Sequence, residues 1–151
     1  MKKLFIFLTT LVLLHNCTGC DEDKRIDVSV LPEETNTGAN TFGCVVDGWV
    51  YVGGRYFSNK HSILFICDSM YSEMNVIVQV EHNSNIKFII NNPEEGKECI
   101  LTDVYFNHTK LPDGTANITL FDKERNIVSG RFECGERIKH GRFDVVYYYK
   151  R

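Results

Sequence analysis

The sequence predicts an all-β fold, an antiparallel sandwich or small barrel of about eight to nine strands. Three observations lead there. Apolar residues alternate with a period of two, as in Val76, Val78 and Val80 or Phe143, Val145 and Tyr147, which is the spacing of one face of a strand. Turn-forming clusters interrupt these runs every 8–12 residues or so. No window after residue 19 repeats with a convincing helical period.

Residues 1–19 read as an export signal. Lys2 and Lys3 precede the mostly apolar run Leu4 to Leu14, matching a charged n-region and a hydrophobic h-region. A span would need about 20 apolar residues, so the run is too short to cross a bilayer. Gly19 supplies the small residue expected before a cleavage point. Cys17-Thr18-Gly19-Cys20 resembles the lipobox of bacterial lipoproteins, with Cys17 where an aliphatic residue is usual. That resemblance implies a lipoprotein signal peptide over 1–19 and a diacylglycerol thioether on Cys20, a membrane anchor. Asp21-Glu22-Asp23 resembles the acidic export signal of Bacteroides-group surface lipoproteins. It implies an outer membrane lipoprotein exposed at the cell surface, with a periplasm-facing position as the alternative. Residues 20–40 are charged and polar and carry Pro32 and Gly38, so they are expected to form a lipidated, flexible, acidic tether. Its coil span would be on the order of 25 Å.

The all-β domain is expected over 41–151. Asp47-Gly48 joins Phe42–Val46 to Trp49–Val52, and Asp-Gly between β-rich runs signals a type I′ hairpin. Ser62–Cys67 is a continuous apolar run of strand length. Asn75–Glu81 and Ile86–Ile90 alternate about the turn His82–Asn85 and read as a hairpin. Asn91–Gly96 is a further turn cluster. Glu98–Leu101 and Val104–Phe106 are two weaker strands. Thr115–Phe121 places Ala116, Ile118 and Leu120 on one face. Ile127–Cys134 and Gly141–Tyr149 complete the set.

The chain carries 17 basic and 20 acidic residues, a net charge of −3. The segment 20–40 holds six of the acids, whereas 41–151 carries thirteen bases against fourteen acids. The acidity sits in the tether, and no basic stripe suggests nucleic acid as a partner. With Cys17 removed and Cys20 lipidated, Cys44, Cys67, Cys99 and Cys134 remain. An even number in an exported chain predicts disulfides, and any of three pairings would satisfy it. No two of them have the short spacing of a zinc site, so no metal and no cofactor are expected.

Thr37-Gly38-Ala39-Asn40-Thr41-Phe42-Gly43-Cys44-Val45-Val46-Asp47-Gly48, together with Ile127–Phe132 and the ending Gly141-Arg142-Phe143-Asp144-Val145, resembles a family of small uncharacterised Bacteroides-group lipoproteins. The resemblance spans most of residues 37–149. It implies an all-β, lipid-anchored cell-envelope protein, and it carries over no site beyond the anchoring cysteine.

Other sites are sparse. His61, His82, His108 and His140 stand apart in sequence, none spaced as a metal pair. No serine lies in a nucleophile elbow and no Gly-rich loop opens a helix, so catalytic residues are not expected. Trp49, Tyr51, Tyr56, Tyr148 and Tyr149 could form an aromatic platform for a glycan, although strands favour aromatics for their own sake. Asn107-His108-Thr109 and Asn117-Ile118-Thr119 match an N-glycosylation pattern by chance, and Asp68-Ser69-Met70 resembles a short O-glycosylation motif of Bacteroides-group exported proteins. The functional expectation is a non-enzymatic binding or structural module with a glycan or protein ligand. The alternatives are a lipocalin-like carrier of a small apolar ligand, which requires a cavity, and a hydrolase, which requires convergent carboxylates or a Cys–His pair.

Overall fold

A computed structural model describes residues 27–54, 62–70 and 72–150. Residues 1–26, with the signal and Cys20, lie outside the described residues, as do Tyr56 and His61. The described residues form eleven strands and one short 3-10 turn, Val28–Val30: β1 Thr41–Val46, β2 Trp49–Val52, β3 Ile63–Asp68, β4 Glu73–Glu81, β5 Ser84–Asn91, β6 Glu98–Phe106, β7 Thr109–Lys110, β8 Gly114–Asp122, β9 Ile127–Cys134, β10 Ile138–Val146 and β11 Tyr148–Tyr149. Among them no helix is long and apolar enough to cross a membrane.

All eleven strands belong to one sheet, in the order β11-β3-β4-β5-β6-β8-β9-β10-β1-β2, with β7 laid on β6. The fold is therefore all-β, within the expected sandwich or small barrel, and its single open, strongly curled sheet makes a half-barrel. From β3 to β10 the chain is an antiparallel meander. The β1–β2 hairpin adds to the far side of β10. β11 continues beyond β10 and pairs in parallel with β3, Tyr148 opposite Ile66, so the last strand reaches the first strand of the meander.

The period-two pattern places the inner face. Val76, Val78, Val80, Ile86, Phe88, Ile90, Phe143, Val145 and Tyr147 are buried, as the alternation requires. The Asp47-Gly48 turn has both residues at positive φ, 49° and 85°, the left-handed pair that a type I′ hairpin needs. Phe132 lies at the centre, its ring 5.3 Å from Phe42, 5.0 Å from Phe88 and 6.2 Å from Phe143, with Phe65 a further 5.1 Å from Phe143. The half-barrel is thus filled by aromatic side chains.

Bulges account for the strand details that alternation alone misses. The two weak strands around Asp103 are one strand, β6, because Asp103 adopts φ 50° and takes up an extra residue without ending the ladder. In β8 the register slips between Ile118 and Leu120. Leu120, expected on the inner face, yields that place to Phe121, which packs against the core.

Two expectations are corrected. The tether does not extend to residue 40: residues 31–40 form a strap fixed across the outer face of β8, β9, β10 and β1. Leu31 is buried, Arg142 donates to the Pro32 carbonyl at 3.0 Å, and Arg131 pairs with Glu34. Thr119 donates to Asn36 Oδ1 and the Val146 amide to Asn40 Oδ1, each at 3.0 Å. At its centre lies Asp144, 1% exposed, which accepts from Thr35 Oγ1 (2.5 Å), the Thr37 amide (3.0 Å) and hydroxyl (3.2 Å), the Gly38 and Ala39 amides (2.8 and 3.1 Å) and Ser129 Oγ (2.7 Å). The polar composition that read as disorder is consumed by these bonds.

The second correction concerns the cysteines. Cys44, Cys67, Cys99 and Cys134 are buried free thiols, not disulfides. They stand on β1, β3, β6 and β9, and no two of those strands are neighbours. Strands once removed lie about 10 Å apart, beyond the roughly 7 Å between Cα atoms that a bridge can span. Burial, and beyond it the charge of a Cys134 thiolate, pushes the Cys44 thiol well above its ordinary value. Burial followed by Asp113 and Glu133 pushes Cys134 up to about 12.

Candidate functional site

The curled sheet has two open ends, and the hairpin turns β3–β4, β5–β6 and β8–β9 gather at one of them together with β11. Between them lies a cavity of about 390 Å³ lined by Cys67, Ser69, Ser72, Asn92, Pro93, Glu94, Phe121, Lys123 and Tyr149. The mouth of a barrel is a common ligand position, because loops converge there over a rigid sheet.

Each wall is fixed from the strands below. The β3–β4 and β5–β6 turns are tied by the Asn92 amide, which donates to the Ser72 carbonyl at 2.7 Å. Both residues are left-handed, Ser72 at φ 53° and Asn92 at φ 47°. Asparagine tolerates that conformation, whereas for serine it costs on the order of 1 kcal/mol. The buried Cys99 thiol lies 3.5 Å from the Asn92 carbonyl and donates to it, so one unbridged cysteine holds the turn in place. Glu95 reaches across to accept from the Phe121 amide at 2.9 Å, which fixes the bulged segment of β8. On the facing side Lys150 pairs with Asp68 at 2.8 Å and secures β11 against β3.

The site combines aromatic and polar groups. Tyr149 is 46% exposed. Its ring meets buried Tyr147 edge-on at 5.5 Å, and Tyr147 in turn packs 5.5 Å from Phe121. The two tyrosine hydroxyls are 3.3 Å apart. The Lys123 ammonium sits over the Phe121 ring, 5.6 Å from its centre. Cys67 lies at the floor, 8% exposed; burial raises its thiol above the ordinary value, partly opposed by the charge of Lys123. The raised value leaves Cys67 a thiol rather than a nucleophilic thiolate at neutral pH, and no histidine is among the lining residues.

The five aromatics expected as one platform are divided. Trp49, 73% exposed, and Tyr51 are on β2, while Tyr148 and Tyr149 are on β11, at opposite ends of the strand order. Tyr51 packs against Phe106 at 5.1 Å and serves the core. Only Tyr149 of the four described reaches the mouth. Sequence reasoning missed Phe121 and Lys123, because strict alternation turns Phe121 outward and only the slip at Ile118 and Leu120 reverses it. Ser69, of the Asp68-Ser69-Met70 motif, also lines the mouth, with its neighbour Met70 exposed. His82, His108 and His140 occupy separate turns and bulges, and the described residues hold no cluster of metal-ligating groups.

A smaller hollow of about 240 Å³ lies under the strap, bordered by Glu33, Glu34, Arg131 and Arg142. Its two guanidiniums are already engaged by Glu34 and the Pro32 carbonyl. Comparison with protein-family models, curated proteins and solved structures finds no match for this chain.

Proposed function

We propose that this chain is a lipid-anchored cell-envelope protein whose β domain is a non-enzymatic binding module, with a glycan held in the mouth of the half-barrel. The anchoring part rests on the lipobox-like Cys17–Cys20 and the resemblance to small Bacteroides-group lipoproteins. The binding part rests on one observation above all: half-exposed Tyr149 and bulged Phe121 stand in a single cavity with Ser69, Ser72 and Asn92. A sugar ring has an apolar C–H face and a rim of hydroxyls. Aromatic rings complement the first, and hydroxyl and amide groups complement the second.

The alternatives find less support. A lipocalin-like carrier would place its apolar ligand in the volume that Phe42, Phe65, Phe88, Phe132 and Phe143 occupy. A hydrolase would bring a nucleophile and a base together, and Cys67 at the mouth has no such partner among the lining residues.

Two measurements test the proposal. Cells grown with a labelled fatty acid should incorporate it into the wild type and not into Cys20→Ser; an unlabelled wild type removes the anchor. The purified domain, titrated with a panel of oligosaccharides, should bind at least one. Tyr149→Ala should weaken that binding about tenfold, equivalent to roughly 1.4 kcal/mol. A wild type that binds none of the panel, or binding indifferent to Tyr149, overturns the glycan assignment.

A further inference from the structure

We infer that the glycan taken by the mouth is acidic, its carboxylate or sulfate held by Lys123. This rests on the glycan reading above and assigns the ligand class of the same cavity. Of the residues lining it, only Glu94 and Lys123 are charged. Glu94 is paired with Lys97 at 2.7 Å. Of the carboxylates around the rim, Asp68 is paired with Lys150 at 2.8 Å and Asp122 with Arg125 at 2.6 Å, while Glu95 is turned to the Phe121 amide at 2.9 Å. Lys123 differs. Among the described residues it has no carboxylate within salt-bridge distance.

Its position is nonetheless defined. The ammonium lies over the Phe121 ring, 5.6 Å from its centre, and Lys123 and Phe121 both line the cavity. An ammonium on a ring face retains donors for an anion beside it. The arrangement therefore offers a stacking surface, a set of neutral hydrogen-bonding groups and one ammonium with no carboxylate in salt-bridge contact among the described residues, all within a single cavity. A neutral sugar leaves that charge unused. A uronate or a sulfated sugar places its anion there while its ring lies against the aromatics.

The test compares three oligosaccharides of one backbone, neutral, uronate-bearing and sulfated, titrated calorimetrically into the full domain at low and high salt. Wild type should prefer at least one acidic form by about fivefold at low salt, a preference that falls as salt rises, as befits a solvent-exposed ion pair. Lys123→Gln should abolish the preference, so that the acidic forms bind no more tightly than the neutral one, whereas Lys123→Arg should keep it. Lys123 is exposed, so both variants should fold as the wild type does. Preference for uronate alone, for sulfate alone or for both supports the inference and identifies the anion. Equal binding of neutral and acidic forms, unchanged in Lys123→Gln, overturns it and leaves the glycan reading intact. Absence of binding by all three forms to the wild type overturns both.

Discussion

Asp144 is the residue on which the strap depends. Among the described residues it forms no ion pair, and six donors converge on its two oxygens. Burial by itself would raise the carboxyl. The hydroxyls of Thr35 and Ser129 and the amides of Ala39 and Thr37 outweigh it and hold the group far below the usual carboxylate range. Three consecutive amides, Thr37 to Ala39 with Gly38 at φ 75°, form an anion-binding nest filled by the protein's own side chain. Asp144→Asn keeps the size but turns an amide N–H₂ toward donors, and it should cost on the order of 3 kcal/mol in urea denaturation. The sign with pH follows from the lowered folded value. The contribution is fully present above the unfolded aspartate value of about 3.9 and is lost as pH falls below it toward the folded one. Acid titration of stability should therefore be steeper in the wild type than in Asp144→Asn; parallel curves would show that the carboxylate charge is not what holds the strap.

At the scale of elements, β1 and β10 join the two ends of the domain through the strap. Thr37–Ala39 bind Asp144, and Gly43, opposite Arg142 in the ladder, admits the strap. A β-carbon at Gly43 would sit 2.6 Å from Pro32 Cδ and 3.0 Å from Leu31 Cδ2. Gly43→Ala should cost about 1–3 kcal/mol and expose residues 27–40 to protease before the sheet itself is cut; a protected strap would show that the contact relaxes without lifting it. Segments 37–48 and 141–145 are thus two halves of one clamp. That much was not legible from the chain, because a tether and a strap share a polar composition and differ only in whether a distant residue accepts their hydrogen bonds. The strands were legible wherever alternation was unbroken, as in β4 and β5. They were misjudged at the bulges, since an inserted residue such as Asp103, or the slip near Leu120, reverses every later position in a strand. The same slip hid two of the nine described residues lining the candidate site, Phe121 and Lys123, by bringing them to the mouth.

For the whole molecule, stability comes from a single aromatic core and a continuous ladder instead of covalent bridges. Cysteine count and compartment argued for disulfides, but whether thiols can meet depends on strand order, which no spacing in the sequence reveals. Adding a reductant should leave the urea midpoint unchanged, since a bridge would contribute ~2–4 kcal/mol. Alkylation after unfolding without reductant should modify Cys44, Cys67, Cys99 and Cys134 alike, as read by mass spectrometry. A midpoint that drops on reduction would mean that two of these strands approach more closely than the sheet order allows.

The strap also determines how the domain meets mechanical load. Its fastenings follow one another along the chain, from Pro32 and Glu34 through Asp144 to Asn40, before β1 begins. A pull applied from the N-terminal side must shear this series of contacts before any tension reaches the sheet. The mouth at the turns would then keep its shape while the strap yields, as a seat belt gives before the seat.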